Sequence, residues 1–319
     1  MEYLEPLARI SYTVIGPIVV LAGAGYLIGR AVPAAAEVFA KTLLYLLIPV
    51  YVFRNILVSD LAGADYGSIV IFSALALVAL YVAARLVSRL RRHDAPLGGA
   101  FANTAILYNS ANFGIPVMAL AFSFDAAQET YAVAAQVVVA TCQGMAAYTA
   151  GAFIAAAGSG PVGGAVRKVF ALPFIYALAA ALVLKGLGVG AETVGRVGIL
   201  WKPMTMLSDG YVAMALMTLG TQMARVKLVR APLDLALSVG LRLVAGPLIG
   251  LALVLLMGIE GPLARILVIG VSGPSAVASA VVAIEFRNRP DFAASAVFLS
   301  TLGAGLTVPI VIFLVQAFL

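Results

Sequence analysis

The sequence predicts an all-α polytopic membrane protein with ten transmembrane helices, arranged as two inverted five-helix repeats in which the fourth and ninth helices are broken. Three observations carry that expectation: a composition fit for lipid, basic residues gathered on alternate loops, and an interrupted apolar helix that occurs twice. Of 319 residues, 63% are hydrophobic and 11% charged, with a mean hydropathy of +1.08. A soluble domain is about half apolar and about a quarter charged. The net charge of +6 is spread over short loops with no basic arm, which excludes nucleic acid as a partner and fits the basic bias of cytoplasmic loops.

A span needs about 20 apolar residues. The expected spans are Tyr12–Ile28, Ala36–Phe53, Ser68–Ala84, Gly98–Phe122, Tyr131–Ala156, Phe170–Leu184, Met204–Ala224, Pro232–Met257, Ile266–Ile284 and Phe292–Phe318. Glu2 and Glu5 precede the first run, unlike the basic start of a signal peptide, so that run reads as a permanent span. The Gly- and Ser-rich stretch Gly158–Lys168 reads as a flexible turn dividing five spans from five, with 1–157 as the first repeat and 169–319 as the second. Gly25–Gly29 and Gly246–Gly250 fit the small-residue spacing that lets helices pack closely.

Charge sets the orientation. The loops after spans 1, 3, 5, 7 and 9 hold Arg30; Arg85, Arg89, Arg91 and Arg92; Arg167 and Lys168; Arg225, Lys227 and Arg230; and Arg287 and Arg289. The opposite side holds half as many: Arg9, Arg54, Lys185, Arg196, Lys202 and Arg265. Both termini are therefore expected on the non-cytoplasmic side of the cell (inner) membrane. An odd number of spans per half makes the second half an upside-down copy of the first.

The broken helices are Ala105–Phe122 (AILYNSANFGIPVMALAF) and Ile266–Ala283 (ILVIGVSGPSAVASAVVA). Each is apolar enough for a span, yet each carries glycine, small polar residues and a proline. Pro116 and Pro274 each remove a backbone donor, beside Gly114 and Gly273. In hydrocarbon an unpaired amide costs several kcal/mol, so a break survives only where protein or a water-filled cavity covers it. Two breaks at corresponding places of two halves point to a transporter's binding site.

Five segments in order resemble the auxin efflux carrier family, which includes plant PIN carriers and bacterial malate and malonate permeases. They are FAKTLLYLLIPVYVF around Pro49, NSANFGIPV with Asn112, Gly114 and Pro116, MLSDGYVAMALMTLGTQM, LRLVAGPLIG, and SGPSAVASAVVAIEF followed by FLSTLGAGLTVPI. Two positions depart from the pattern. Gln143 stands where many members carry asparagine, and Gly273 precedes Pro274 where proline pairs or Met-Pro are usual. The resemblance implies a bile-acid symporter or sodium-proton antiporter-like fold whose fourth and ninth spans cross at the midplane. It implies a scaffold of spans 1, 2, 6 and 7 (about 12–53 and 170–224). It also implies a moving transport domain of spans 3–5 and 8–10 (about 68–156 and 232–318), carrying organic anions by an elevator-like alternation of access.

At such a crossing, two helix amide ends each offer roughly half a positive charge to a carboxylate. The candidate substrate-binding residues are Asn109, Ser110, Asn112, Gly114 and Pro116 on one arm, Ser272, Gly273, Pro274 and Ser275 on the other, and Gln143 nearby. Asn112 is the candidate first contact, since its amide can donate to an anion; the other role open to it is satisfying amides freed by the break. Asp209 and Arg242, ionisable within spans, are candidates for coupling or charge. Asp209 is read as a proton carrier or a partner for a cation, and Arg242 as a dicarboxylate ligand or a structural partner of an acid.

The single cysteine, Cys142, excludes a disulfide framework, and His93 has no companions for a metal site. No HExxH or P-loop pattern occurs, and GVSGP lacks the last glycine of a nucleophile elbow. No enzyme activity, cofactor or metal is expected. The expectation is a secondary transporter of small organic anions, uniporting or proton-coupled. Sodium-coupled symport on the same fold is the nearer alternative, and a channel or membrane sensor the more distant one. The bilayer and the anion are the expected partners, with a homodimer through the scaffold left open.

Overall fold

The computed structural model describes residues 4–156, 170–196 and 198–319. Every named element among them is helical. In chain order they are α1 (Glu5–Ala31), α2 (Ala35–Val58) and α3 (Gly63–Leu90); α4 (Ala95–Ile106); α5 (Ser110–Ala121), α6 (Ala126–Ala156) and α7 (Pro173–Gly186); α8 (Ala191–Gly195), α9 (Gly198–Asp209) and α10 (Tyr211–Met223); α11 (Pro232–Leu256) and α12 (Gly261–Val271); α13 (Val277–Glu285); and α14 (Pro290–Phe318). Six of them, α1, α2, α3, α6, α11 and α14, are long and apolar enough to cross a membrane. The protein is thus a multi-pass membrane protein.

Four expected spans are not continuous helices of that length. The fourth and ninth are the broken pairs α4/α5 and α12/α13. The seventh, expected at Met204–Ala224, is interrupted at Gly210, a poor helix former, between α9 and α10. The sixth is α7, of 14 residues, about 21 Å long at 1.5 Å per residue. The expected turn at Gly158–Lys168, with Arg167 and Lys168, lies outside the described residues.

Proline shapes these helices by widening them. Among the described residues, π-helical turns interrupt the α-helices, and four of them lead directly into an x-Pro pair: Ser11–Ile15 before Pro17, Leu43–Leu47 before Pro49, Ser110–Gly114 before Pro116, and Leu241–Ala245 before Pro247. Proline has no N–H, and its ring clashes with the carbonyl four residues back. A one-turn widening clears that carbonyl and lets the residue before proline donate five residues back. Gly16 bonds Ser11 O, Ile48 bonds Leu43 O, and Gly246 bonds Leu241 O in this way. Such bulges are frequent at functional sites, and two of these four hold Asn112 and Arg242.

Two packing groups emerge. In one, α1 lies along α10, and α2 packs against α7 and α9. The α1–α10 crossing brings backbones into contact: a Cβ on Gly220 or Gly25 would overlap the Ala22 or Met217 carbonyl, and one on Gly29 would lie 2.8 Å from Thr221 Cα. The expected close packing at Gly25–Gly29 is thus present. In the other group α3 packs on α4 and α6, α12 on α6 and α11, and α13 on α14. Here Gly250 faces the Val271 side chain and Gly246 the Arg242 guanidinium.

Polar contacts tie the loops together at two ends. At one, Asp234 accepts from Arg91 Nε (3.0 Å) and lies 3.1 Å from His93 Nε2, while Arg289 donates to Asp94 (2.6 Å). These link the starts of α4, α11 and α14 to the end of α3. At the other end Tyr131 donates to Asp65 (3.0 Å), and Lys185 donates to Ser59 O. Lys41 pairs with Glu37 one helical turn away (2.5 Å), with both side chains exposed.

Replacing Gly220 with valine should drive α1 and α10 apart and cost about 1–3 kcal/mol or more, read as a lower melting temperature of the purified protein. The Asp94 carboxylate caps α4 by accepting from Leu97 N (2.8 Å). That amide, and then Arg289, hold its pKa below the usual carboxylate value. A lowered folded-state pKa gives stability that is present above the unfolded value of about 3.9 and is lost as pH falls through the folded value. Wild type should therefore melt above Asp94→Asn at neutral pH, and the gap should close below about pH 4.

Candidate functional site

The two interrupted helices meet at their breaks. Between α4 and α5 the chain is extended at Leu107, and between α12 and α13 it is extended at Ala276. Tyr108 and Ser275 form an antiparallel bridge. Asn109 N donates to Pro274 O (2.8 Å) and Ala276 N to Leu107 O (2.8 Å). Each break thus supplies the backbone partners the other lacks, which a lipid-facing break could not find.

The prolines play unequal parts, unlike the matched pair expected. Pro274 lies within the second break. Pro116 lies beyond the first break, in the first turn of the resumed α-helix, where it follows the widened turn of α5 rather than interrupting the chain. The first break is made by Leu107, Tyr108 and Asn109, with neither glycine nor proline. Gly114 also acts by size: a Cβ there would meet the Gln136 amide.

The carbonyl ends of α4 and α12 converge on one cation. Arg242, fully buried, donates from Nη1 to Ala105 O (2.6 Å) and from Nη2 to Val271 O. Its guanidinium carbon lies 5.0 Å from the Tyr108 ring centroid. In place of the expected acid or dicarboxylate, its partners are two helix carbonyls and an aromatic face. Ser275 reinforces the same end: its Oγ donates to Thr104 O (2.7 Å), and its backbone N–H donates to Ser300 Oγ (3.1 Å).

The remaining candidates surround this junction. Ser272 turns its hydroxyl back to Ile269 O (2.6 Å). Gln143 Oε1 accepts from Tyr108 N (3.2 Å). Gln136 on α6 donates Nε2 to Ser110 O (2.9 Å), and its Oε1 would lie 2.5 Å from a Cβ placed on Gly270. Gln136 therefore sits between the two broken helices and touches both. Among the described residues, Gln136 Oε1, Asn109 Nδ2 and Tyr108 Oη are buried without a hydrogen-bond partner. Asn109, Ser110, Ser272 and Ser275 are buried, as are Gly114, Pro116, Gly273 and Pro274, whereas Asn112 is half-buried. Asp209 is exposed at the end of α9, two residues before Tyr211.

Sequence reasoning missed Gln136, Tyr108 and Tyr211. Tyr211 donates to Ala111 O (3.3 Å) and stacks on Tyr51 with ring centroids 4.1 Å apart. The signal for Gln136 was a lone amide in the middle of a purely apolar run, AVAAQVVVA. Two cavities of about 290 Å³ reach the arms. One is lined by Arg225, Lys227, Asp291 and Gln222 together with Val277, the first residue of α13. The other, largely apolar, runs between α1, α10 and α14 to Phe113 on α5. They share Met223 and Phe298.

Residues 163–312 match the family model described as membrane transport protein, the family of auxin efflux carriers and PIN-like permeases. Over that stretch the chain is similar to this family of membrane transporters. No curated protein matches the chain. The matched stretch contains Arg242, the whole of α12 and α13, and most of α14; the first broken pair lies before it.

Replacing Gln136 with leucine should leave Ser110 O without its side-chain donor and cost about 1–3 kcal/mol. A melting curve of the purified variant measures it, and the loss should exceed that of Gln128→Leu on the exposed first turn of α6.

Proposed function

We propose that this membrane transporter is a secondary carrier of small organic anions, carboxylates of the auxin-like or dicarboxylic kind, working by uniport or proton coupling. The observation that carries the reading is a cavity with a net basic lining that also touches the first turn of a broken helix. Arg225 and Lys227 line it with Asp291, and Val277 and Ala280 bring the first turn of α13 to the same cavity. Basic residues at a cleft draw anions in, and a helix N-terminus receives a carboxylate without a charged side chain.

Asn112 is the first substrate contact in this reading. It lies in the first turn of α5, half-buried like Ala111 beside it. Ser110, Ser272 and Ser275, with Asn109, Gly114, Pro116, Gly273, Pro274 and Gln143, form the frame around it. The unpartnered amides of Asn109 and Gln136 add a donor and an acceptor of the kind a polar ligand engages.

The two packing groups support an elevator. The α1–α10 and α2–α7 pairs would be the fixed scaffold, and α3–α6 with α11–α14 the moving transport domain. The chain would be two inverted repeats of five spans, with the α4/α5 and α12/α13 pairs as the crossovers. The loop end joined by Arg91, His93, Asp94, Asp234 and Arg289 would face the cytoplasm, leaving both termini outside the inner membrane. A homodimer through the scaffold fits the same division.

Proteoliposomes loaded with buffer and offered labelled malonate or indole acetate should accumulate label, with the rate rising on an inward proton gradient if coupling is to protons. Asn112→Ala should lower uptake about tenfold by removing one hydrogen bond to a charged group, with an unchanged melting temperature. Uptake at wild-type affinity by this variant would remove Asn112 from the site.

A further inference from the structure

Arg242 is the charged side chain at the crossing, and its surroundings define what it does. It lies in the π-helical turn Leu241–Ala245, which rotates the side chain relative to a regular helix. Gly246 makes room for it: a Cβ there would strike Nη2. One guanidinium nitrogen reaches the last turn of α4 at Ala105 O, and the other the last residue of α12 at Val271 O. The Tyr108 ring, from the break between α4 and α5, covers the guanidinium carbon at 5.0 Å.

Each helix C-terminus carries about half a negative charge. Two such ends at one point present roughly one negative charge in a low-dielectric setting, the kind of site that would otherwise gather an exchangeable cation. We propose that Arg242 is a positioning residue that acts as a resident cation: it joins and neutralises the carbonyl ends of both broken helices and takes the place of a coupling cation. This rests on the reading of the crossing as the anion site, and it deepens it. With the carbonyl ends neutralised from within, the amide ends of α5 and α13 keep their positive charge for the substrate. The sodium-coupled alternative loses its binding place, because a second cation would have to sit beside a buried guanidinium.

Two measurements test this. The first is the melting temperature of the purified protein in sodium chloride and in choline chloride at equal ionic strength. Wild type should melt alike in both. Arg242→Gln, which keeps a polar amide but removes the charge, should melt lower by about 2–4 °C or more and should be stabilised by sodium over choline. Arg242→Lys should recover most of the loss without a sodium response. The second is labelled malonate uptake by wild type, which should proceed equally in either salt, with Arg242→Gln reduced about tenfold or more.

A sodium-specific rise in the wild-type melting temperature, or uptake that stops in choline, would overturn the proposal. So would an Arg242→Gln variant with wild-type stability and no sodium response. If Arg242→Gln cannot be recovered folded, the wild-type salt comparison and the Arg242→Lys variant still decide. If wild type takes up no carboxylate in any salt, the transport reading fails, while the melting comparison continues to test the resident cation on its own.

Discussion

Hydrocarbon offers a backbone no hydrogen bonds, and the structure turns on how two broken helices meet that constraint together. Tyr108 and Ser275 pair as a short antiparallel bridge, so each break becomes the other's partner. Around this bridge the polar side chains fall into order: Arg242 on the carbonyl ends, Gln136 between the arms, and Gln143 on the Tyr108 amide. Lose the bridge, and these groups have nothing to organise.

The consequence is a division of charge. Carbonyl ends of α4 and α12 meet on Arg242, deep in the protein. The first turn of α13 instead lines a cavity with Arg225, Lys227 and Asp291. A buried cation and a cavity of net basic lining thus lie at opposite sides of the break between α12 and α13. In the proposed reading both favour an anion over a cation at the crossing.

Much of the fold was legible in the sequence, for identifiable reasons. Helix existence follows from apolar length, so α1, α2, α3, α6, α11 and α14 were readable, and the close α1–α10 approach was foreshadowed by Gly25 and Gly29. The place of the first break was not. Glycine and proline drew attention to Gly114 and Pro116, yet the chain breaks at Leu107–Asn109, where residue types alone give no reason to break. That break depends on a partner about 165 residues away in the chain, which local propensity cannot see. Pro116 proved to be one of four prolines that follow a π-helical turn, a pattern carried by the steric needs of the ring. Arg242 was recognised as costly and read as a dicarboxylate ligand or a structural partner of an acid, because sequence shows side chains but not the carbonyls that a helix end presents. Asp209, read from its place within a span as a proton carrier or a partner for a cation, is exposed at the last residue of α9.

An anion held at the crossing, between Asn112 and the start of α13, is the reading on which the rest depends. Anomalous diffraction from crystals of the protein soaked with bromomalonate measures it most directly. The expected result is a bromine peak beside the crossing, next to Asn112 and Val277. A fully bound bromine site found elsewhere, with the crossing empty, would contradict it.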